Sequence, residues 1–411
     1  MKSNTATQFA ALPPTGTMIC PSRGGKVDRP SVAPLSSVHV GLAYELGGCG
    51  RVFAELSRSL AGAGVRFSGA VAEPDNVDAL SHGRIKLFAT STSSMKTRLQ
   101  HGRLTLLQLI EAERPDILAS HFALYAAPVL DRLYGRKSFA FINHFHGPWA
   151  AESVQEGANW SSALVKKTLE RIVYRRADRT IVLSRAFARI AAEQYGIPED
   201  QIRVVPGCVD TDRFNMDLSR QQARQVLCLP SDRLLLLTVR RLVNRMGLQP
   251  LIEAMREVSR AVPDALLLIA GSGPLREDLD RAIAEFGLQN NVRLLGSVPD
   301  DQLPLLYRAA DLNVVPSQAL EGFGLVVVEA LAAGTPSLVT PIGGLPEVVS
   351  ALSPSLVFSS TASTAISTLI IEVLKGNHAL PTQEQCRDLA LSNYTSKYMA
   401  QRTATVYREV A

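Results

Sequence analysis

From Ser37 onward, short apolar runs alternate with amphipathic stretches. The runs Val38–Ala43, Ile117–Ser120, Phe139–Asn143 and Thr180–Leu183 have strand length and little polar alternation, the pattern of strands covered on both faces. Between them, Arg51–Ala61 places Val52, Leu56 and Leu60 four apart on one helical face and stops at Gly62 and Gly64. Such a succession packs as βαβ units around a parallel sheet. After Pro206-Gly207 it restarts, with strands expected at Leu234–Val239, Ala265–Ala270, Val292–Leu295, Leu312–Val315 and Ser337–Thr340. A chain of 411 residues exceeds what one core usually supports, so two α/β domains are expected. Ser392 to Val410 reads as a closing helix, with Tyr398 and Tyr407 among its apolar positions, that crosses back onto the first domain.

Several classes are disfavoured. No run reaches the roughly 18 apolar residues of a spanning helix. Residues 1–35 mix Pro, Gly, Ser and Thr without the apolar segment of a secretory signal, and read as a disordered leader. Five widely spaced cysteines, with no Cys-x-x-Cys pair, point to a reducing compartment and to no structural metal. Residues 1–205 carry 25 Lys and Arg against 17 Asp and Glu, whereas residues 206–411 carry 18 against 21. The first half is therefore suited to an anionic partner. Nucleic acid is not expected, because the basic residues are not interleaved with stacking aromatics. Lys166, Lys167, Arg171, Arg175, Arg176 and Arg179 cluster along one expected helix, with Leu164, Leu169, Ile172 and Val173 expected to pack inward. This face suggests an anionic membrane surface.

The segment Glu321-Gly-Phe-Gly-Leu-Val-Val-Val-Glu329 follows an apolar strand and opens a helix near Gly324. Gly322 and Gly324 let the backbone approach a ligand closely, and free N–H groups at the helix start suit a pyrophosphate. Glu321 lies outside that mouth; Glu329 lies about 7.5 Å inside it at about 1.5 Å per residue. The pair can therefore hold hydroxyl groups on either side of a diphosphate. Few polar neighbours surround Glu329, which favours burial with a partner over a wet helix edge. Arg240 to Gly247 follows Leu234–Val239, where open α/β sheets bind ligands, and a guanidinium there can bridge diphosphate oxygens. His144-Phe145-His146-Gly147-Pro148 follows Phe139–Asn143, and Gly47-Gly48-Cys49-Gly50 precedes a helix expected from Arg51.

The Glu321–Glu329 run resembles the Glu-x7-Glu motif of the retaining glycosyltransferases of family 4, which have the GT-B fold, and Thr335-Pro336 and Gly343-Gly344-Leu345-Pro346-Glu347 continue the likeness. The resemblance runs from about Val38 to the C-terminus. It implies two Rossmann-like domains facing across a cleft: residues 36–205 for the acceptor, 206–391 for the nucleotide sugar, and 392–411 returning to the first. It implies that Glu321 meets the donor sugar, Gly322, Phe323, Gly324 and Leu325 hold the phosphates through their backbone, and Glu329 takes the ribose. Arg240–Gly247 resembles the family's Gly-Arg-Leu-x-x-x-Lys-Gly pattern, with Arg241 at the Arg and Met246 in place of the Lys. Either Arg245 or Arg240 then supplies the missing charge, or donor binding is weakened; Arg245 is favoured because Arg240 should point away from Arg241. His146 matches the histidine beside the donor sugar, with His144 the lesser candidate, Gly48 belongs to the glycine-rich loop, and Gly271 and Gly273 form a turn facing the nucleotide.

The implied activity is metal-independent transfer of a hexose, with retention, from a UDP-sugar or GDP-sugar to a saccharide or lipid-linked acceptor in cell-surface polysaccharide synthesis. The implied setting is cytoplasmic, at the inner face of the membrane, with no cofactor. Catalysis would rest on His146, Arg241 and Glu321. Rival readings are a GT-B enzyme of other chemistry, such as an epimerase or a phosphorylase, and a non-catalytic nucleotide-sugar-binding protein. Asp210-Thr-Asp212 resembles the metal motif of the other glycosyltransferase fold but falls in an entry loop after Pro206.

Overall fold

The computed structural model describes residues 34–411 apart from 45–46, 76, 78–80, 91 and 134–137. The leader expected at residues 1–35 therefore falls almost wholly outside the described residues, as does Cys20. Cys49, Cys208, Cys228 and Cys386 are free thiols.

The chain builds two parallel sheets. The first contains β1 (Leu35–Ala43), β2 (Val65–Glu73), β3 (Ile85–Leu87), β4 (Ile117–Ser120), β5 (Ala140–Phe145), β6 (Arg179–Val182) and β7 (Ile202–Val204), in the order β3-β2-β1-β4-β5-β6-β7. The second contains β8 (Leu234–Val239), β9 (Ala265–Ala270), β10 (Val292–Gly296), β11 (Leu312–Val315) and β12 (Ser337–Val339), in the order β10-β9-β8-β11-β12. Every residue of β9 is buried, which explains its unbroken apolar sequence. Against this sheet the Leu248–Ala261 helix lays Leu251, Ile252, Met255 and Val258, each such side chain contributing about 1.5–3 kcal/mol on burial.

Three strands lie outside the sequence expectation, and each has a reason. Arg66, Ser68 and Gly69 interrupt the apolar run of β2, while β3 and β7 are three-residue strands at the sheet edges. The first helix begins at Gly47, not near Arg51, so its first turn is built of glycines. The single closing helix expected over Ser392–Val410 is instead two helices, Gln383–Asn393 and Ser396–Arg408. Thr395 breaks them by capping the second, its side chain accepting from the Tyr398 N–H at 3.2 Å. The first packs Cys386 and Ala390 into the second domain, and the second inserts Met399, Ala400, Ala404 and Tyr407 into the first.

The basic helix spans Trp160–Tyr174. Its Val173 is buried, but Leu164 and Ile172 face outward together with Trp160 and Val165, contrary to the inward packing expected for those two. Among the described residues no helix is long and apolar enough to cross a membrane.

Candidate functional site

Strand order reverses between β1 and β4 and again between β8 and β11. At such a switch point neighbouring loops leave in opposite directions and open a crevice at the strands' C-terminal ends. The segments leaving β8 and β11 are Arg240–Gly247 and Pro316–Gly324; those leaving β1, β4 and β5 carry Gly47–Gly50, His121 and His146. The fold thus collects most of the anticipated residues in one place.

Gly324 has φ +89° and caps the Leu325–Ala332 helix, a backbone state that an L side chain would strain. Gly271 admits no side chain either, since a Cβ there would lie 1.8 Å from the Arg240 carbonyl oxygen. A Cβ on Gly273 would lie 2.5 Å from the Leu242 carbonyl oxygen, so both glycines let their backbone pack against the Arg240–Gly247 loop. Across the crevice, a Cβ on Gly48 would stand 3.8 Å from Leu325, and one on Gly322 would stand 2.7 Å from the Phe187 ring of the first domain. Phe323 turns its ring into the core against Tyr394, at 5.5 Å between centroids, leaving only its backbone for a ligand. Leu325 packs against the cores of both domains.

The two carboxylates sit in different settings. Glu321 Oε2 accepts from Arg240 Nη1 at 2.8 Å and from the Ser317 hydroxyl at 3.0 Å. Glu329 is buried; its Oε2 accepts from the Tyr307 hydroxyl at 2.9 Å, and its Oε1 pairs with Arg51 of the first domain. Arg51 also donates to Asp300 at 2.8 Å, so it spans the crevice.

Arg240 and Arg241 do point apart, as strand alternation requires. It is Arg240, however, that turns inward to Glu321, while Arg241 is more than half exposed and reaches Glu156 at 3.4 Å. Arg245 is buried; it donates to the Leu320 carbonyl at 3.2 Å and pairs with Glu152 and Glu156 at 3.5 and 3.7 Å. Burial pushes the Glu152 carboxyl above its usual range, against the pull of Arg245. Met246 is buried with Sδ 3.8 Å from Arg240 Nη1.

His146 Nε2 lies 2.9 Å from His121 Nδ1, and burial lowers its pKa to about 4, so the imidazole is neutral at neutral pH. His144 is turned away to the Tyr407 hydroxyl, 2.8 Å from its Nε2. Asp210 caps the short Thr211–Phe214 helix, accepting from the Arg213 N–H at 3.2 Å.

Sequence reasoning missed Arg51, Glu152, His39 and His121 as neighbours of the site, and it ranked Arg240 below Arg245 as the source of charge beside Met246. Only the His144-x-His146 spacing announced the histidine group, since residues two apart on a strand share a face. Glu347 was noted only as part of a motif. It caps the Arg185–Tyr195 helix of the first domain, accepting from the Arg185 and Ala186 N–H groups at 2.9 Å each.

Two family profiles match the chain: "Glycosyl transferases group 1" over residues 219–391 and "Glycosyltransferase Family 4" over residues 46–213. The GDP-mannose-dependent alpha-(1-6)-phosphatidylinositol monomannoside mannosyltransferase of Mycolicibacterium smegmatis is 33% identical over 222 residues, 52% of this chain and 58% of that protein. The 2-deoxystreptamine glucosyltransferase of Streptomyces kanamyceticus is 32% identical over 190 residues, 46% of this chain and 49% of its own. The chain spans about half the length of the curated relatives it matches. Among solved structures, the sucrose-phosphate synthase of Thermosynechococcus elongatus superposes with a TM-score of 0.75 at 21% identity, covering 91% of this chain and 98% of that one.

Proposed function

Since the chain belongs to the group 1, family 4 glycosyltransferases and has their GT-B fold, we propose that it transfers a sugar from a nucleoside-diphosphate donor to a saccharide or lipid-linked acceptor, with retention of anomeric configuration. The observation that carries this reading is the pair Glu321 and Glu329 on either side of the Gly324 helix start, with Arg240 on the sugar side and Tyr307 on the other. In this reading the helix N–H groups and Arg240 meet the leaving diphosphate as it gathers charge. Losing one such donor commonly slows a reaction about a hundredfold or more. Arg241, lying at the exposed rim, is free to turn onto an arriving diphosphate.

In this mechanism the donor sugar lies between Glu321 and His146, and the acceptor hydroxyl attacks from the face of the departing diphosphate, whose oxygen takes its proton. Uridine or guanosine diphosphate sugars suit the site; the mannosyltransferase relative uses GDP-mannose. Neither a resident cofactor nor a divalent metal is required in this reading. The protein would act in the cytoplasm at the inner membrane face, in cell-surface polysaccharide synthesis. Met246, in place of the family's lysine, motivates the rival reading of a binding protein without turnover.

A panel of UDP- and GDP-sugars, read by release of nucleoside diphosphate, separates the two. Turnover of at least one donor in the presence of a chelator is expected, with Glu321→Ala at least about tenfold slower. No turnover with any donor would favour the binding protein. Activity that appears only when magnesium or manganese is restored would overturn the metal-free mechanism.

A further inference from the structure

Behind His146 the first domain buries three more histidines on one face of β1, β4 and β5. His121 Nε2 stands 3.0 Å from His39 Nδ1, and His39 Nε2 stands 3.1 Å from the Ser37 hydroxyl oxygen. Ser37 in turn donates to the Arg66 carbonyl at 2.9 Å. With the 2.9 Å contact from His146 to His121, this makes one unbroken line from the crevice to β2.

The nitrogens of His39, His121 and His144 lie within 4.8 Å of one another, so a shared metal ion must be considered. An ion bound by imidazoles lies in the plane of each ring. The His121 and His144 rings are stacked, 4.2 Å apart at 13°, so their lone pairs run in separate, nearly parallel planes. The group is better suited to hydrogen bonding than to coordination.

The line has a polarity. The Ser37 proton is committed to the Arg66 carbonyl, so Ser37 accepts from His39 Nε2–H. His39 Nδ1 then accepts from His121 Nε2–H, and His121 Nδ1 accepts from His146 Nε2–H. His146 Nδ1 is left with a bare lone pair; it is shielded from solvent and has no partner among the described residues. The reverse polarity would take the hydroxyl proton from Arg66 and leave a buried N–H on His146 without an acceptor, at a cost of about 1–3 kcal/mol. The Tyr407 hydroxyl, 3.5 Å from His39 Nε2, is too distant to displace Ser37. Burial lowers the His39 pKa to about 3 and holds His121 well below the usual histidine range, which keeps each imidazole neutral and the polarity intact.

We propose that Ser37, His39 and His121 form a relay that fixes His146 in its Nε2–H tautomer, so that Nδ1, shielded in this closed arrangement, becomes an acceptor for a hydroxyl of the transferred sugar once the crevice opens to admit the donor. This rests on the reading that His146 lies beside the donor sugar. His39 and His121 are positioning residues: they touch no substrate but decide which way the hydrogen bond of His146 runs.

The test is the tautomeric state of His146, read by two-bond proton–nitrogen correlation spectra of protein labelled at its histidine rings. Parent protein at neutral pH should show Nε2–H at His146, His121 and His39. His39→Phe removes the acceptor for His121; it should mix the tautomers of His146 and lower donor turnover at least about tenfold. His39→Gln offers a carbonyl oxygen towards His121 and an N–H towards Ser37, and should retain both the parental tautomer and most of the rate. Ser37→Ala provides a milder break if His39→Phe fails to fold, again with mixed tautomers at His146. Nδ1–H at His146 in the parent, or a parental tautomer and rate in His39→Phe, overturns the relay. Parental turnover in His146→Ala, with the expected tautomers present, overturns instead the placement of His146 at the sugar.

Discussion

Met246 stands where the family pattern has a lysine, yet the position is not short of charge. The Arg240 guanidinium lies against the Met246 sulfur and binds Glu321 with one nitrogen, while its Nε and Nη2 are buried with no partner among the described residues. Buried donors of this kind are costly unless something accepts from them, and diphosphate oxygens fit a planar fork. Arg245, favoured from sequence alone, is instead turned towards Glu152 and Glu156 of the first domain. Arg240→Ala is therefore expected to weaken nucleoside diphosphate binding at least about tenfold, or about 1.4 kcal/mol, by calorimetry. Arg245→Ala should cost less. If Arg245→Ala proves the more damaging of the two, the charge at this position comes from Arg245, and Arg240 only orients Glu321.

The Trp160–Tyr174 helix presents one face that is both apolar and basic. Trp160 is 77% exposed and Leu164 56%, on the same helical face as Lys167 and Arg171, while Asn159 caps the helix by accepting from the Ser162 N–H at 2.9 Å. Exposed aromatic and aliphatic groups interleaved with cations are the makeup of an interfacial helix, with about 1 kcal/mol available per basic residue at an anionic surface. Sedimentation with anionic vesicles, weakened by salt and lost on combining Trp160→Ser with Arg171→Glu, is the expected result. Equal sedimentation with neutral vesicles would remove the argument. This helix also marks how far elements can be read from the chain. The sequence reading located its basic face through Lys166, Lys167 and Arg171, but it extended the helix to Arg175, Arg176 and Arg179, which lie past its end at Tyr174, and it assigned Leu164 and Ile172 to the interior, because pattern reasoning presumes that large apolar groups are covered. Continuous runs such as β8, β9 and β11 were legible residue by residue because both sheet faces are buried. The three-residue edge strands β3 and β7 were not, because each buries only one residue fully, whereas the equally short β12 is buried throughout and was legible. The glycine and glutamate positions at the Gly324 helix were legible through local backbone demands. Arg51, His39 and His121 reach their places only through strand order, which no local pattern encodes.

Between the domains, Arg51 is the link with the largest consequence. It leaves the glycine-built first turn of the Gly47–Ser59 helix and pairs with both Glu329 and Asp300 of the second domain. The same closed arrangement is held by Glu347 on the Arg185–Tyr195 helix and by Arg245 on Glu152. If Glu329 is the ribose carboxylate, Arg51 and the donor compete for one side chain, so the contact that draws the domains together also taxes donor entry. Domain closure and donor affinity are then coupled, and one substitution should move them in opposite directions. Arg51→Ala is expected to bind nucleoside diphosphate about three- to tenfold more tightly, a range within the coupling energies of contacting groups. Its radius of gyration by X-ray scattering should rise as the crevice opens, and donor turnover should fall because closure no longer excludes water from the sugar. Unchanged affinity with an unchanged radius would show that Arg51 neither latches the domains nor occupies the ribose carboxylate. Weaker binding would place Arg51 among the groups that hold the donor rather than those that compete with it.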